Sequence, residues 1–137
     1  MTAPGKSMPV SFCPEVMTQV GMALDVDSSG DAPVLLVHGE VDMSTAPILA
    51  DGLRRLLGTG NSTVIVDLDD VGFLDSTGLG ALVSARTEAV SAGGGLPLVC
   101  RHGRIRKLLV ITGLDGLFDF YDSVDDARAA VGGASSA

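Results

Sequence analysis

Only two cysteines, Cys13 and Cys100, occur in the 137 residues. They make no metal-ligand spacing and no disulfide framework, so both read as free thiols. Long apolar runs are missing as well. Val34-Leu35-Leu36-Val37 and Leu108-Leu109-Val110-Ile111 fall far short of the roughly 18–20 residues that span a bilayer. The opening MTAPGKSMPVSFCPEV lacks the basic-then-apolar pattern of a secretory signal, and the expected compartment is the cytoplasm. Positive charge is scarce, 9 Lys and Arg against 17 Asp and Glu, for a net charge of −8. Nucleic acid and anionic membrane both demand a basic face, so neither is an expected ligand, and a basic or mixed protein partner fits better. The one positive cluster, Arg101, Arg104, Arg106 and Lys107, reads as a solvated helix face. Histidine is limited to His38 and His102. A serine nucleophile would need such a base, and each of the two reads as structural.

What is present is a large apolar fraction, 46% of residues, enough for one domain core but with no room for a second domain. Residues 1–18 carry Pro4, Pro9 and Pro14 with little apolar periodicity, and 132–137 are small and polar, so both read as flexible tails around a domain at 19–131. Met22–Val26 and Val34–Val37 read as strands joined by the turn-rich Asp27-Ser28-Ser29-Gly30-Asp31, which implies an antiparallel pair. A helix follows, capped by Ser44 or Thr45, with Pro47 in its first turn, Leu49, Leu53, Leu56 and Leu57 at helical spacing, and Gly58 at its end. Val64–Leu68 lacks in-and-out alternation, as a central strand covered on both faces does. An acidic turn with Asp67, Asp69 and Asp70 closes that strand. After Ser76 a helix buries Leu79, Leu82, Val83 and Val90, leaves Ser84, Thr87 and Glu88 outside, and stops at Gly93-Gly94-Gly95. Leu96–Cys100 reads as a strand, Ile105, Leu108 and Leu109 as the stripe of a third helix ending at Gly113, Phe118–Tyr121 as a last strand, and Ser123-Val124-Asp125-Asp126 as the start of a last helix. No internal repeat is found. The order β-β-α-β-α-β-α-β-α predicts an α/β domain, a mixed and mostly parallel sheet of about five strands with about four helices.

The segment Val71–Gly80, VGFLDSTGLG, places a serine between strand and helix, where Ser76 is the natural N-cap. The first turn of a helix carries unpaired N–H groups and partial positive charge, so a phosphate on that serine is tolerated there. Gly78 and Gly80 leave the turn little side-chain cover, open to another protein's backbone or to a nucleotide's phosphates. Asp75-Ser76-Thr77-Gly78 is not the Asp-Thr/Ser-Gly of aspartic proteases, because the extra residue moves the carboxylate out of the turn. Gly78-Leu79-Gly80 lacks the Lys-Ser/Thr of a P-loop and the third glycine of a dinucleotide loop. Weak nucleotide hydrolysis there is the least supported reading, and no catalytic set assembles. The aspartates at 67, 69 and 70 suggest a phospho-receiver or a magnesium site, yet the acidic pair after the first strand and the lysine after the last are both missing. Gly39-Glu40-Val41-Asp42 with Ser44-Thr45-Ala46 lies just past the second strand. If that strand neighbours Val64–Leu68, Asp42 and Ser76 share one sheet edge and one surface.

Taken together, Gly39-Glu40-Val41-Asp42, Ser44-Thr45-Ala46, the acidic strand end and Phe73-Leu74-Asp75-Ser76-Thr77-Gly78-Leu79-Gly80 resemble the STAS domain of bacterial anti-sigma factor antagonists, over about Val20 to Val131. The resemblance implies a regulatory module and not an enzyme, without cofactor or metal. It implies phosphorylation of Ser76 by an anti-sigma factor that is itself an ATP-using serine kinase, and recovery by a serine phosphatase. The unphosphorylated form then binds that kinase and releases a sigma factor. By position, Asp42, Thr45, Asp75, Thr77, Gly78, Leu79 and Gly80 form the surrounding kinase-contact surface. The sequence departs from the family in Thr77, where a second serine is frequent, in Pro97 within a strand, and in a longer N-terminal tail. The competing reading is a STAS-like scaffold that is never phosphorylated and binds a small ligand or a larger assembly through the same surface.

Overall fold

The structure, a computed structural model, describes residues 16–19, 21–28, 30, 32–101 and 103–136. Cys13, His102 and the centre of the Asp27–Asp31 link lie outside the described residues. Ten elements follow in order: β1 (Val16–Gln19), β2 (Met22–Asp27), β3 (Val34–Val41), α1 (Ala46–Gly58), β4 (Ile65–Leu74), α2 (Ser76–Ser91), β5 (Leu98–Val99), α3 (Gly103–Ile111), β6 (Phe120–Tyr121) and α4 (Val124–Ser136). They build one sheet of six strands in the order β1-β2-β3-β4-β5-β6, antiparallel from β1 to β3 and parallel from β3 to β6. The predicted β-β-α-β-α-β-α-β-α order is present, with one further edge strand. That strand, β1, pairs Val16 with Asp25 and Gln19 with Met22, and so reaches into the stretch read as a tail. At the other end α4 runs to Ser136, past the expected limit at Val131.

Each parallel strand lies one place further across the sheet than the last, and a right-handed crossover taken repeatedly in one direction stacks its helices on a single face. The apolar contacts follow that rule. Leu49 and Leu53 of α1, Leu79, Leu82 and Ala85 of α2, and Ile105 and Leu109 of α3 share one core with Leu24, Leu35, Val37, Val66 and Leu68 of the sheet. On the opposite face Ala127 of α4 packs with Val34, Ile65 and Val99. Helix α1 shows how local sequence sets this: Ala46, Leu49, Gly52 and Leu53 make its buried side. Gly52 lets α1 pack closely on β2, since a Cβ there would stand 2.9 Å from Leu24 Cδ1 and that methyl would have to shift.

Strand β4 corrects the reading of an acidic turn after Leu68. The strand continues to Leu74, and its register against β3 slips twice, between Leu36 and His38 and between Gly39 and Glu40. Each slip sets one extra β4 residue against its neighbour, a β-bulge. The side chains facing α1 to α3 are therefore Val66, Leu68, Val71 and Leu74, a spacing that no simple alternation predicts. In α2 the inward residues are Gly78, Leu79, Leu82, Ala85 and Ala89, while Val90 is exposed. Val90 lies a third of a turn from Ala89 and so leaves the stripe it was expected to join.

Candidate functional site

The parallel pairing of β3 with β4 brings Val41 opposite Leu74 at the C-terminal end of both strands. One residue further, the Asp75 N–H donates to the Val41 carbonyl at 3.1 Å. The two motifs singled out in the sequence thus meet at one edge.

In the first of them Asp42 organises a tight turn. Its carboxylate accepts from the Ser44 hydroxyl at 2.7 Å, from the Ser44 N–H at 2.9 Å and from the Thr45 N–H at 3.2 Å. The Ser44 hydroxyl, followed by its N–H, holds the Asp42 carboxyl below the ordinary carboxylate value, so the group stays charged. Thr45 occupies the N-cap position of α1 but forms no side-chain cap. Its hydroxyl donates to the Glu40 carbonyl at 3.0 Å and accepts from the Asp42 N–H at 2.9 Å. Thr45 is the one polar side chain fully buried among the described residues, at 1% exposure. It supports the turn from behind and does not face outward.

The second motif corrects the placing of the cap at Ser76. The N-cap is Asp75, whose carboxylate accepts from the Thr77 N–H at 2.9 Å and the Gly78 N–H at 3.1 Å. A charged acceptor satisfies these two donors more strongly than a hydroxyl would. Ser76 becomes the first residue of α2, exposed, as is Thr77. With capping done by its neighbour, the Ser76 hydroxyl stands at the positive end of a helix.

The two glycines have different tasks. Gly78 is buried, and a Cβ there would stand 2.5 Å from Leu74 Cδ1 and 2.7 Å from Val41 Cγ1. This close approach seats α2 against the joined strand ends. Gly80 is exposed with nothing within 4 Å of a Cβ. Leu79 belongs to the core at 5% exposure. Of the expected surface residues, then, Asp42, Asp75, Ser76, Thr77 and Gly80 reach solvent, while Thr45, Gly78 and Leu79 hold them in place. Two exposed apolar side chains escaped the sequence reading: Met43, at 76% exposure beside Asp42, and Phe73, at 50% beside Leu74. Phe73 was read only as part of the motif after an acidic turn, and its exposure follows from the continuation of β4 to Leu74.

The nearby aspartates are engaged within the fold. The Asp69 N–H donates to Asp67 at 2.9 Å, the Arg101 N–H to Asp69 at 2.6 Å, and Asp70 holds His38 Nδ1 at 2.7 Å. Among the described residues no three such side chains gather to hold a metal ion. Among the same residues no helix is long and apolar enough to cross a membrane. Cys100 is buried, and burial pushes its thiol up.

The family model described as the STAS domain matches residues 23–127. The anti-sigma-F factor antagonist RsfB of Mycobacterium tuberculosis is 30% identical over 107 residues, 78% of this chain and 86% of that protein. The anti-sigma-B factor antagonist of Bacillus subtilis is 33% identical over 96 residues, 70% of this chain and 87% of that one. A crystal structure of an anti-sigma factor antagonist from Mycobacterium paratuberculosis superimposes with a TM-score of 0.71 at 32% identity, covering 80% of this chain and 93% of that one. The chain belongs to the STAS domain family. Its similarity runs to the regulatory members named as anti-sigma factor antagonists.

Proposed function

We propose that this chain is a cytoplasmic anti-sigma factor antagonist that binds an anti-sigma factor serine kinase when Ser76 is unmodified. Binding releases a sigma factor, phosphorylation of Ser76 by that kinase ends it, and a serine phosphatase restores it. The role is binding, without catalysis by the chain itself. The observation that carries the reading is the exposed Ser76 at the first position of α2, set beside two carboxylates by the Asp75–Val41 hydrogen bond. A phosphate adds about −1.5 to −2 charge at this point, which the helix N-terminus bears and a docked partner does not. A loss of about 3–4 kcal/mol of binding weakens a complex by roughly two to three decades, enough to exchange partners without a change of fold.

The test is to incubate the protein with each purified anti-sigma factor kinase of the same genome and ATP, and to locate phosphate by mass spectrometry. One phosphate on Ser76, lost in Ser76→Ala, supports the assignment. Phosphate on Thr77 or Asp67, or undiminished labelling of Ser76→Ala, overturns it. An affinity for the anti-sigma factor that is equal in Ser76→Asp and wild type favours the unphosphorylated scaffold instead.

A further inference from the structure

A groove of about 570 Å³ is lined by residues that include Phe73 and Leu74, at the end of β4 that leads into α2, with Arg104, Lys107, Leu108 and Ile111 of α3. Its apolar walls are open to water, with Phe73 at 50% and Ile111 at 75% exposure. The cations on its rim, like Arg86, form no ion pair among the described residues, whereas most of this chain's described cations do. Arg54, Arg55, Arg101, Arg106 and Arg128 all pair with carboxylates. Arg104 instead donates to the Gly72 carbonyl at 3.0 Å, and Lys107 is exposed, neither within ion-pair distance of a carboxylate among the described residues. In a chain of net charge −8, positive charge left beside an open apolar groove is complementary to an acidic, amphipathic segment.

We infer that this groove receives an acidic amphipathic segment of the anti-sigma factor, seating apolar side chains between Phe73 and Ile111 and carboxylates against Arg104 and Lys107. The inference rests on the function proposed above and names a second contact of the same complex.

The experiment measures affinity of full-length protein for the purified anti-sigma factors of the same genome, at low and at high salt. Ile111→Ser is expected to weaken binding by about tenfold or more, as loss of an apolar anchor does. Lys107→Glu is expected to weaken it at low salt, with the difference from wild type shrinking at high salt. Both residues are exposed, so circular dichroism and thermal midpoints should match the wild type. Wild-type affinity in both variants, while Ser76→Asp still loses binding, overturns the groove and leaves the proposed function standing. Absence of any binding by the wild type removes both. Concentration-dependent dimerisation abolished by Ile111→Ser assigns the groove to a second copy of this chain and overturns the inference.

Discussion

The backbone N–H of Asp75 donates to the carbonyl of Val41 at 3.1 Å, closing the ends of β3 and β4. Because Asp42 follows Val41 directly, the turn it organises and the cap of α2 are parts of one support. Disturbing either end of that hydrogen bond should therefore be felt at Ser76.

Asp75→Ala removes the acceptor of the Thr77 and Gly78 N–H groups. A lost cap of this type costs about 1 kcal/mol. Denaturant unfolding should show that loss, smaller in Asp75→Asn, whose amide oxygen still accepts. If the cap also aims the serine, phosphate transfer to Ser76 should fall in the alanine variant and recover in the asparagine one.

Gly78 and Gly80 should respond in opposite directions to alanine. At Gly78 the new Cβ meets Val41 and Leu74, and such overpacking costs about 1–3 kcal/mol. At Gly80 nothing stands within 4 Å, and the helix should gain up to about 1 kcal/mol. Thermal unfolding checks both. Anti-sigma factor binding should nevertheless decline in Gly80→Ala, since the methyl group enters the space that a partner approaches.

Ser76→Asp should fold as well as the wild type or slightly better. A negative side chain in the first turn of a helix contributes about 0.3–1 kcal/mol. Stability and docking then separate: unfolding curves that nearly coincide, beside an affinity reduced toward that of the phosphorylated form.

His38 gives the fold a dependence on pH. Its Nδ1 lies 2.7 Å from Asp70 and its Nε2 3.2 Å from Asp25. The Asp70 hydrogen bond, reinforced by the charge of Asp25, raises the imidazole above its ordinary 6.5 against some desolvation. A folded value above the unfolded one means the bridge stabilises fully below 6.5 and fades as pH rises through the folded value. His38→Gln should remove that decline from a series of thermal midpoints taken across this range.

Asp67 has the opposite character. Burial pushes its carboxyl above the ordinary 3.8, against the N–H of Asp69. Charging it costs the folded state, so Asp67→Asn should raise the thermal midpoint at neutral pH and give no gain below 3.8.

The parts of the fold that a periodic pattern encodes were legible. Leu49 and Leu53 mark the buried side of α1, Gly113 with φ +78° closes the third helix, and the sheet's middle lies where the unalternating Ile65-Val66 run placed it. The meeting of the two motifs was legible too, since strand adjacency alone brings Asp42 and Asp75 to one sheet edge. What failed was chemistry decided in three dimensions. Asp42 and Asp75 took the capping bonds expected of hydroxyls, because a carboxylate within reach is the better acceptor. The bulges of β4 hid a strand inside what read as an acidic turn. Strand β1 has no amphipathic signature strong enough to set it apart from the prolines before it.

Those two bulges also govern parity. A single inserted residue swaps every following side chain to the far side of the pleat, and a second swaps them back. Leu74 therefore faces the same core as Val66 and Leu68, with the outward kinks of Asp69, Asp70, Gly72 and Phe73 accommodated between. Shortening this stretch by one residue, Gly72 for example, would invert Leu74 and carry the serine's mounting round with it. Shortening it by two would restore the facing, so tolerance to deletion here should go in even steps.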